Sequence, residues 1–356
     1  MFQDLKVIDL STVLAGPSVG TFFAELGADV VKIEHPEFPD VTRSWKLKRE
    51  SKDSSVSAYF SSINLGKKYL KLDLNNKKHH ARFMELVSSA DVIVMNFKKG
   101  GQEKLNITDA GLRKTNNKLI IGKISGFGDE SDRVAYDLIL QAESGIMSMN
   151  GTPESGPIKM PIAIIDVMAA HHLKEGLLIE LLQKEREGAD YGGSSISVSL
   201  YDAAICSLVN QASNYLMTGE IPQRIGSKHP NIAPYGELFT TKDGKTITFA
   251  IGSNKQFEKL CRYLSKEELI EDNRFKSVQA RVTNRTNLQD ILEPAVKAIN
   301  ASQILNELND QFVPCGEVKN LEDVFKQTKA KDLVREETID NVKTQRITSI
   351  GFKQTN

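Results

Sequence analysis

The chain has little of what would staple, anchor or charge it. Its 356 residues hold three cysteines and a single tryptophan. Cys206, Cys261 and Cys315 are far apart and odd in number, which excludes a disulfide framework and matches no CxxC zinc spacing. A reducing cytoplasm is the expected setting, and no metal is expected. Lys plus Arg equal Asp plus Glu at 46 each, so no global field gathers nucleic acid or an anionic membrane. Any anion site must be local. No stretch is apolar for long enough to span a bilayer. The first residues read as a strand, not as a basic segment followed by an apolar run and a small-residue cleavage site. Neither secretion nor membrane insertion is expected. With 40% hydrophobic and 26% charged residues the composition is that of a globular protein, and the length exceeds what one core usually holds.

What is present alternates. Residues 6–10 form a short apolar strand, Pro17 opens a helix over 17–26 at its first turn, Gly27 ends it, and 29–34 is a second strand. Strands at 69–74, 91–96 and 119–125 follow, separated by helices at 77–90 and 108–114. Such alternation implies a parallel α/β sheet. A long amphipathic helix is expected over 166–187, then a strand at 195–200 and a helix at 202–217. Residues 235–252 read as a hairpin around Lys242-Asp243-Gly244, because Asp-Gly supplies the positive φ angles of a tight turn. Polar helices run on to about 327. The expected fold is therefore α/β, with a Rossmann-like large domain over 1–221, a small α+β domain over 222–328, and a segment over 329–356 whose strand at 345–352 returns to the large domain.

The first βαβ unit invites a dinucleotide reading, with Glu34 ending the second strand. Its glycines, Gly16 and Gly20, are four apart, which leaves no glycine where GxGxxG brings backbone to the pyrophosphate. A nicotinamide-dependent oxidoreductase is thus disfavoured, and a plain helix-entry turn stays open. Asp166 lies between the apolar run 161–165 and the long helix, a position suited to an N-cap. A helix N-terminus also favours a charged carboxylate, so a chemical role and a capping role are compatible there.

Taken in order, several segments resemble one family nearly end to end. They are Val7-Ile8-Asp9-Leu10 with Leu14-Ala15-Gly16-Pro17, then Leu26-Gly27-Ala28-Asp29-Val30-Val31-Lys32-Ile33-Glu34, and Asn64-Leu65-Gly66-Lys67-Lys68 leading to Leu72-Asp73-Leu74. Asp91-Val92-Ile93-Val94-Met95-Asn96-Phe97, Ser125-Gly126-Phe127-Gly128, Tyr136-Asp137, Gln141-Ala142-Glu143-Ser144-Gly145, Asp166, Pro234-Tyr235 and Asp243-Gly244 follow. In this order and spacing the chain resembles the family III CoA-transferases, which include formyl-CoA transferase, carnitine CoA-transferase and α-methylacyl-CoA racemase. The resemblance implies two ring-like subunits threaded into an interlocked homodimer. It implies acyl-CoA and a free carboxylic acid as substrates, with coenzyme A a cosubstrate and no permanently bound cofactor.

The same resemblance assigns residues. Asp166 is the nucleophile, attacking the thioester to give a mixed anhydride and CoA thiolate. Tyr136 stands where the racemases carry a histidine; at neutral pH a phenol is a poor base and a good donor, which favours transfer over racemisation. Gly252, in Ile251-Gly252-Ser253-Asn254, stands where the family has a glycine-rich loop supplying backbone donors, although a Ser or Asn cap remains an equal reading. For CoA the pattern points to Leu14 and Ala15, His35, Lys67, Asn96 and Phe97, and Lys104, with Arg133 or Arg43 compensating where Lys or His replaces Arg. Formyl-CoA transferase has a glutamine shortly before its Ala-Gly-Pro where this chain has Leu14, which disfavours formate or oxalate and points to a larger or less polar acid. Lys98-Lys99 and His79-His80 are read as exposed charges without a role. Racemase chemistry, and a non-catalytic acyl-CoA-binding homologue, are the alternatives.

Overall fold

The computed structural model describes residues 1–353 and 355 and divides into two compact units. The larger comprises Met1–Met147, Lys159–Ile221 and Asp332–Asn356; the smaller comprises Ser148–Ile158 and Pro222–Lys331.

In the larger unit the chain runs β1 (Lys6–Asp9), α1 (Ala15–Glu25), β2 (Asp29–Glu34), α2 (Ala58–Ser62), β3 (Lys68–Lys71), α3 (Lys77–Ser89), β4 (Val92–Met95), α4 (Gly101–Lys104) and α5 (Asp109–Thr115). It continues through β5 (Ile120–Ser125), α6 (Asp137–Glu143), α7 (Ile146–Met149), α8 (Ile164–Glu187), β6 (Ser194–Ser199), α9 (Leu200–Cys206) and α10 (Val209–Thr218). The six strands form one parallel sheet in the order β3-β2-β1-β4-β5-β6. Val30, Val7, Val92 and Ile120 stand abreast in register across it. They pack on Val19 and Phe23 of α1 and on Ala170 and Leu173 of α8. Their sequence neighbours Ile8, Ile93 and Ile121 point the other way and pack on Phe83 and Val87 of α3 and Leu112 of α5. A sheet buried on both faces is why these strands read as unbroken apolar runs and not as alternation.

Several boundaries differ from expectation. Helix α1 begins at Ala15, two residues before Pro17, because the first turn needs no donor from the proline nitrogen. A side chain at Gly16 would run into Ser11, which fixes a glycine there. The helix expected over 202–217 is two helices, interrupted at Ser207 and Leu208, with Val209 at φ 40°. α8 and α10 leave Ile179, Leu182, Leu216 and Met217 exposed.

The smaller unit carries a three-stranded antiparallel sheet, β7 (Tyr235–Thr240), β8 (Thr246–Ala250) and β9 (Cys315–Glu317). Gly244 turns the first hairpin at φ 74°. Around the sheet lie α11 (Asn254–Tyr263), α12 (Glu268–Glu271), α13 (Val278–Thr283), α14 (Arg285–Lys297), α15 (Ala301–Asp310), α16 (Leu321–Lys326) and α17 (Thr328–Lys331). Its own core joins Phe239 and Phe249 to Phe257, Leu260, Leu292 and Leu308. Residues 148–158 belong here and not with their sequence neighbours, since Gly226 N–H donates to Gly151 O at 2.8 Å and Arg224 Nη1 to Ser148 O at 3.0 Å. The end of the chain forms a hairpin, β10 (Val334–Ile339) with β11 (Val342–Ile347), in the larger unit. Arg346 and Glu25 tie it down at 2.6 Å. Among the described residues no helix is long and apolar enough to cross a membrane.

Candidate active site

Strand order reverses between β1 and β4, the place where open α/β sheets bind ligands beyond the carboxyl ends of their strands. A cavity of about 490 Å³ opens there, walled by the segments after β1, β4 and β5 and by Tyr136 and Asp166.

The wall after β1 is held by buried polar groups. Asp9 Oδ1 accepts from Ser11 N–H at 2.9 Å, Lys32 Nζ donates to Ser11 O at 2.7 Å, and Lys67 Nζ donates to Pro17 O at 2.8 Å. Asn96 brackets Thr12, accepting from its N–H at 3.0 Å and donating to its carbonyl at 2.8 Å. Between them Val13 sits at φ 73°, with its N–H on the Asp40 carboxylate at 3.2 Å. A β-branched residue in that region costs about 1–3 kcal/mol and persists only where its surroundings enforce it. The clamp presents Leu14 and Ala15 to the cavity in one shape.

Two expected CoA contacts are thereby reassigned. Lys67 does not reach the cavity: its ammonium is buried against Asp9 Oδ2 at 2.8 Å, with Asn64, Ile63 and Pro17 oxygens completing its shell. Asn96 lines the cavity, but its amide is spent on Thr12. Burial pushes the Asp9 carboxyl upward, yet Lys32 and Lys67 outweigh it and hold the group down at about 2.

Asp166 is placed differently. It is not the cap of α8, which begins two residues earlier with Ala163 in the cap position and no side-chain bond from it. The free N–H groups of Ile165 and Asp166 donate instead to Asp137 Oδ2, at 2.7 and 3.3 Å. Neither Ala163 nor Ile164 has a side-chain oxygen, so a carboxylate from the start of α6 supplies the cap. Asp166 itself is only 8% exposed, and among the described residues no cation stands within ion-pair distance of it. Burial, and then the Asp137 charge, push its carboxyl up to about 7. The helix N-terminus, expected to favour the charged form, is outweighed. Burial and then the Asp166 charge likewise push the Tyr59 phenol up to about 12.

The remaining candidates separate. Tyr136, 51% exposed, Phe97 and Arg133 line the cavity, Arg133 lying over the Phe127 ring at 3.8 Å and pairing with Glu143. Lys104 is exposed on α4 but stands outside the cavity wall. His35 faces Asp73 at 3.5 Å, also away from it. Arg43 is committed to Glu34 at 2.6 Å and Asp340 at 2.9 Å. Gly252 lies in the smaller unit before Ser253, which caps α11; its N–H donates to Gln256 Oε1 at 2.9 Å.

Residues given no role do line the cavity. Lys98 and Lys99 come just after Asn96 and Phe97, beyond the end of β4, and Lys123 ends on Asp109 and Asp129, both at 3.3 Å. Their position just past the Asn96-Phe97 strand end was the available signal. Lys98, Lys99 and Arg133 thus place three cationic side chains at the cavity, Lys99 paired with Glu130 and Arg133 with Glu143. Among the described residues no cluster of His, Cys, Asp and Glu suits a metal ion.

The model of CoA-transferase family III matches residues 2–354. A succinate–glutarate CoA-transferase of Agrobacterium fabrum is 35% identical over 327 residues, covering 90% of this chain and 80% of that protein. An acetyl-CoA:oxalate CoA-transferase of Acetobacter aceti is 33% identical over 339 residues, covering 94% and 85%. A crystal structure of a CAIB/BAIF family protein from Brucella suis superposes with a TM-score of 0.82 at 34% identity, covering 99% of this chain and 92% of that one. The family model spans almost the whole chain and the relatives cover most of it, and the chain belongs to CoA-transferase family III.

Proposed function

We propose that this chain moves CoA between an acyl-CoA thioester and a free carboxylic acid, with Asp166 as the covalent carrier. The observation that carries this reading is a buried carboxylate, without a hydrogen-bond donor among the described residues, in the wall of the switch-point cavity. Hydrogen bonds to a carboxylate weaken it as a nucleophile, and among the described residues none is made to this one. An Asp166 oxygen attacks the thioester carbonyl carbon, a C–O bond forms, the C–S bond breaks, and CoA thiolate leaves with the electron pair. The thiolate then attacks the Asp166 carbonyl of the mixed anhydride, releasing the donor acid and leaving an aspartyl-CoA thioester. The acceptor carboxylate repeats the first step and the thiolate closes the cycle, restoring Asp166. Tyr136 is positioned to donate where charge gathers on oxygen. Lys98, Lys99 and Arg133 meet the phosphates of CoA.

The named relatives act on short dicarboxylic acids, and that is the acceptor class for this chain. Leu14 gives the cavity an apolar wall, which suits a four- or five-carbon diacid better than oxalate. Succinyl-CoA supplied without acceptor, followed by hydroxylamine, is expected to leave a hydroxamate on the peptide carrying Asp166. Asp166→Asn is expected to lose that adduct and at least about 1,000-fold in transfer rate. Transfer at a near-normal rate by this variant would show that Asp166 is not the carrier.

A further inference from the structure

Asp137 and Gln141 form a buried pair that transfer chemistry alone does not explain. Both face inward from α6, and the Gln141 side chain is wholly buried. Gln141 Nε2 donates to Asp137 Oδ1 at 2.5 Å, while Gln141 Oε1 accepts from Met160 N–H at 2.7 Å. The other Asp137 oxygen takes the Ile165 and Asp166 N–H groups. One carboxylate thus collects three donors, and among the described residues its neighbour Asp166 collects none. An acidic residue in the first turn of a helix ordinarily turns back to those free N–H groups. Here they are occupied.

We propose that Asp137 is a positioning residue: it caps α8 in place of Asp166, fixes the first turn of that helix, and so leaves the Asp166 carboxylate undonated and turned to the cavity. The inference rests on Asp166 being the nucleophile. Burial and then the Asp137 charge push the Asp166 carboxyl up to about 7, and among the described residues no donor offsets them. Asp166 is therefore set to titrate near neutrality, and a more basic carboxylate is the better nucleophile once ionised. Asp137 from α6 is the charge that raises Asp166, while Tyr59 from α2, its phenol pushed up to about 12 by burial and then by the Asp166 charge, faces it as a neutral group. Of the cations lining the same cavity, Lys99 pairs with Glu130, Lys123 with Asp109 and Asp129, and Arg133 with Glu143, while Lys98 stands after β4.

The test uses Asp137→Asn, which keeps an oxygen for the two amides and removes the charge. The pH profile of hydroxamate formation from succinyl-CoA is expected to move its acidic limb down by about one unit, because Asp166 then ionises more easily. An unmoved limb in a folded Asp137→Asn protein would overturn the inference, since a purely structural cap leaves the profile where it was. Infrared titration of the wild-type chain against Asp166→Asn gives a second readout that does not need the Asp137 variant to fold. A protonated-carboxyl band lost on raising pH through 7 and missing from Asp166→Asn supports the assignment, and a band that persists in that variant overturns it. Wild-type protein that forms no hydroxamate at Asp166 at any pH would instead sink the nucleophile reading, with the infrared result still deciding where the proton sits.

Discussion

Asp9 and Asp166 are both carboxylates buried in the larger unit, and they meet opposite electrostatic fates. Asp9 is fully enclosed, yet Lys67 at 2.8 Å, Lys32 at 3.9 Å and the Ser11 N–H surround it with positive charge and donors, and its carboxyl lies near 2. Asp166 has a sliver of exposure, no donor and a like charge beside it, and its carboxyl lies near 7. Burial is common to both, so the partners make the difference. A paired buried charge holds a loop in shape. An unpaired one at a cavity wall is costly to the fold and is where chemistry is to be sought.

Breaking the paired member has the largest expected effect on the fold. Lys67→Met fills much of the same volume but strips Asp9 of its nearest cation and Pro17 and Asn64 of a donor. A loss of about 3–5 kcal/mol is expected in urea unfolding. A variant as stable as wild type would mean that Lys32 alone sustains the cluster.

Relieving the unpaired member works the other way. The Asp166 carboxyl rises from 3.8 to about 7 on folding, so the folded protein binds the extra proton. The stability this contributes is present below about pH 4 and is lost as pH climbs through 7. Asp166→Asn escapes that loss. At pH 8 it is expected to be more stable than wild type by on the order of 3 kcal/mol, with the gap opening between pH 4 and 7 in melting curves. No cap is lost, because Asp137 holds those amides. A variant less stable than wild type at pH 8 would show that Asp166 has a partner in solution.

The smallest effect concerns the cavity rim. Lys98→Ala is expected to raise KM for acyl-CoA about fivefold through loss of one phosphate contact, whereas Lys104→Ala leaves it unchanged. Equal effects would place both ammonium groups on CoA, and the family pattern at Lys104 would stand.

Much of the fold was legible because two-sided burial writes itself as apolar strand runs, as in Val92-Ile93-Val94-Met95, with helices between them. The second strand of the terminal hairpin runs over Val342–Ile347 and meets the expected 345–352 only at its end, whereas the first, Val334-Arg335-Glu336-Glu337-Thr338-Ile339, gave no signal because four of its six residues are polar, Arg335, Glu336 and Thr338 facing solvent and Glu337 accepting from Gly66 N–H. At the site, Leu14, Ala15, Phe97, Tyr136, Arg133 and Asp166 come together around one cavity. Lys67, Lys104 and His35 do not, since a motif records that a residue is basic and not which way its side chain runs. Asp137 was visible only as the neighbour of Tyr136.

The sequence by itself determined the α/β alternation, the family and the identity of the carboxylate at the start of the long helix. Those are properties of local pattern and of segment order. Only the tertiary structure decided that Lys67 is spent on a residue 58 positions away, and that the cap of α8 comes from a carboxylate 28 positions before it. Desolvation and charge pairing act through space, so the states of Asp9 and Asp166 were set when the chain closed around them.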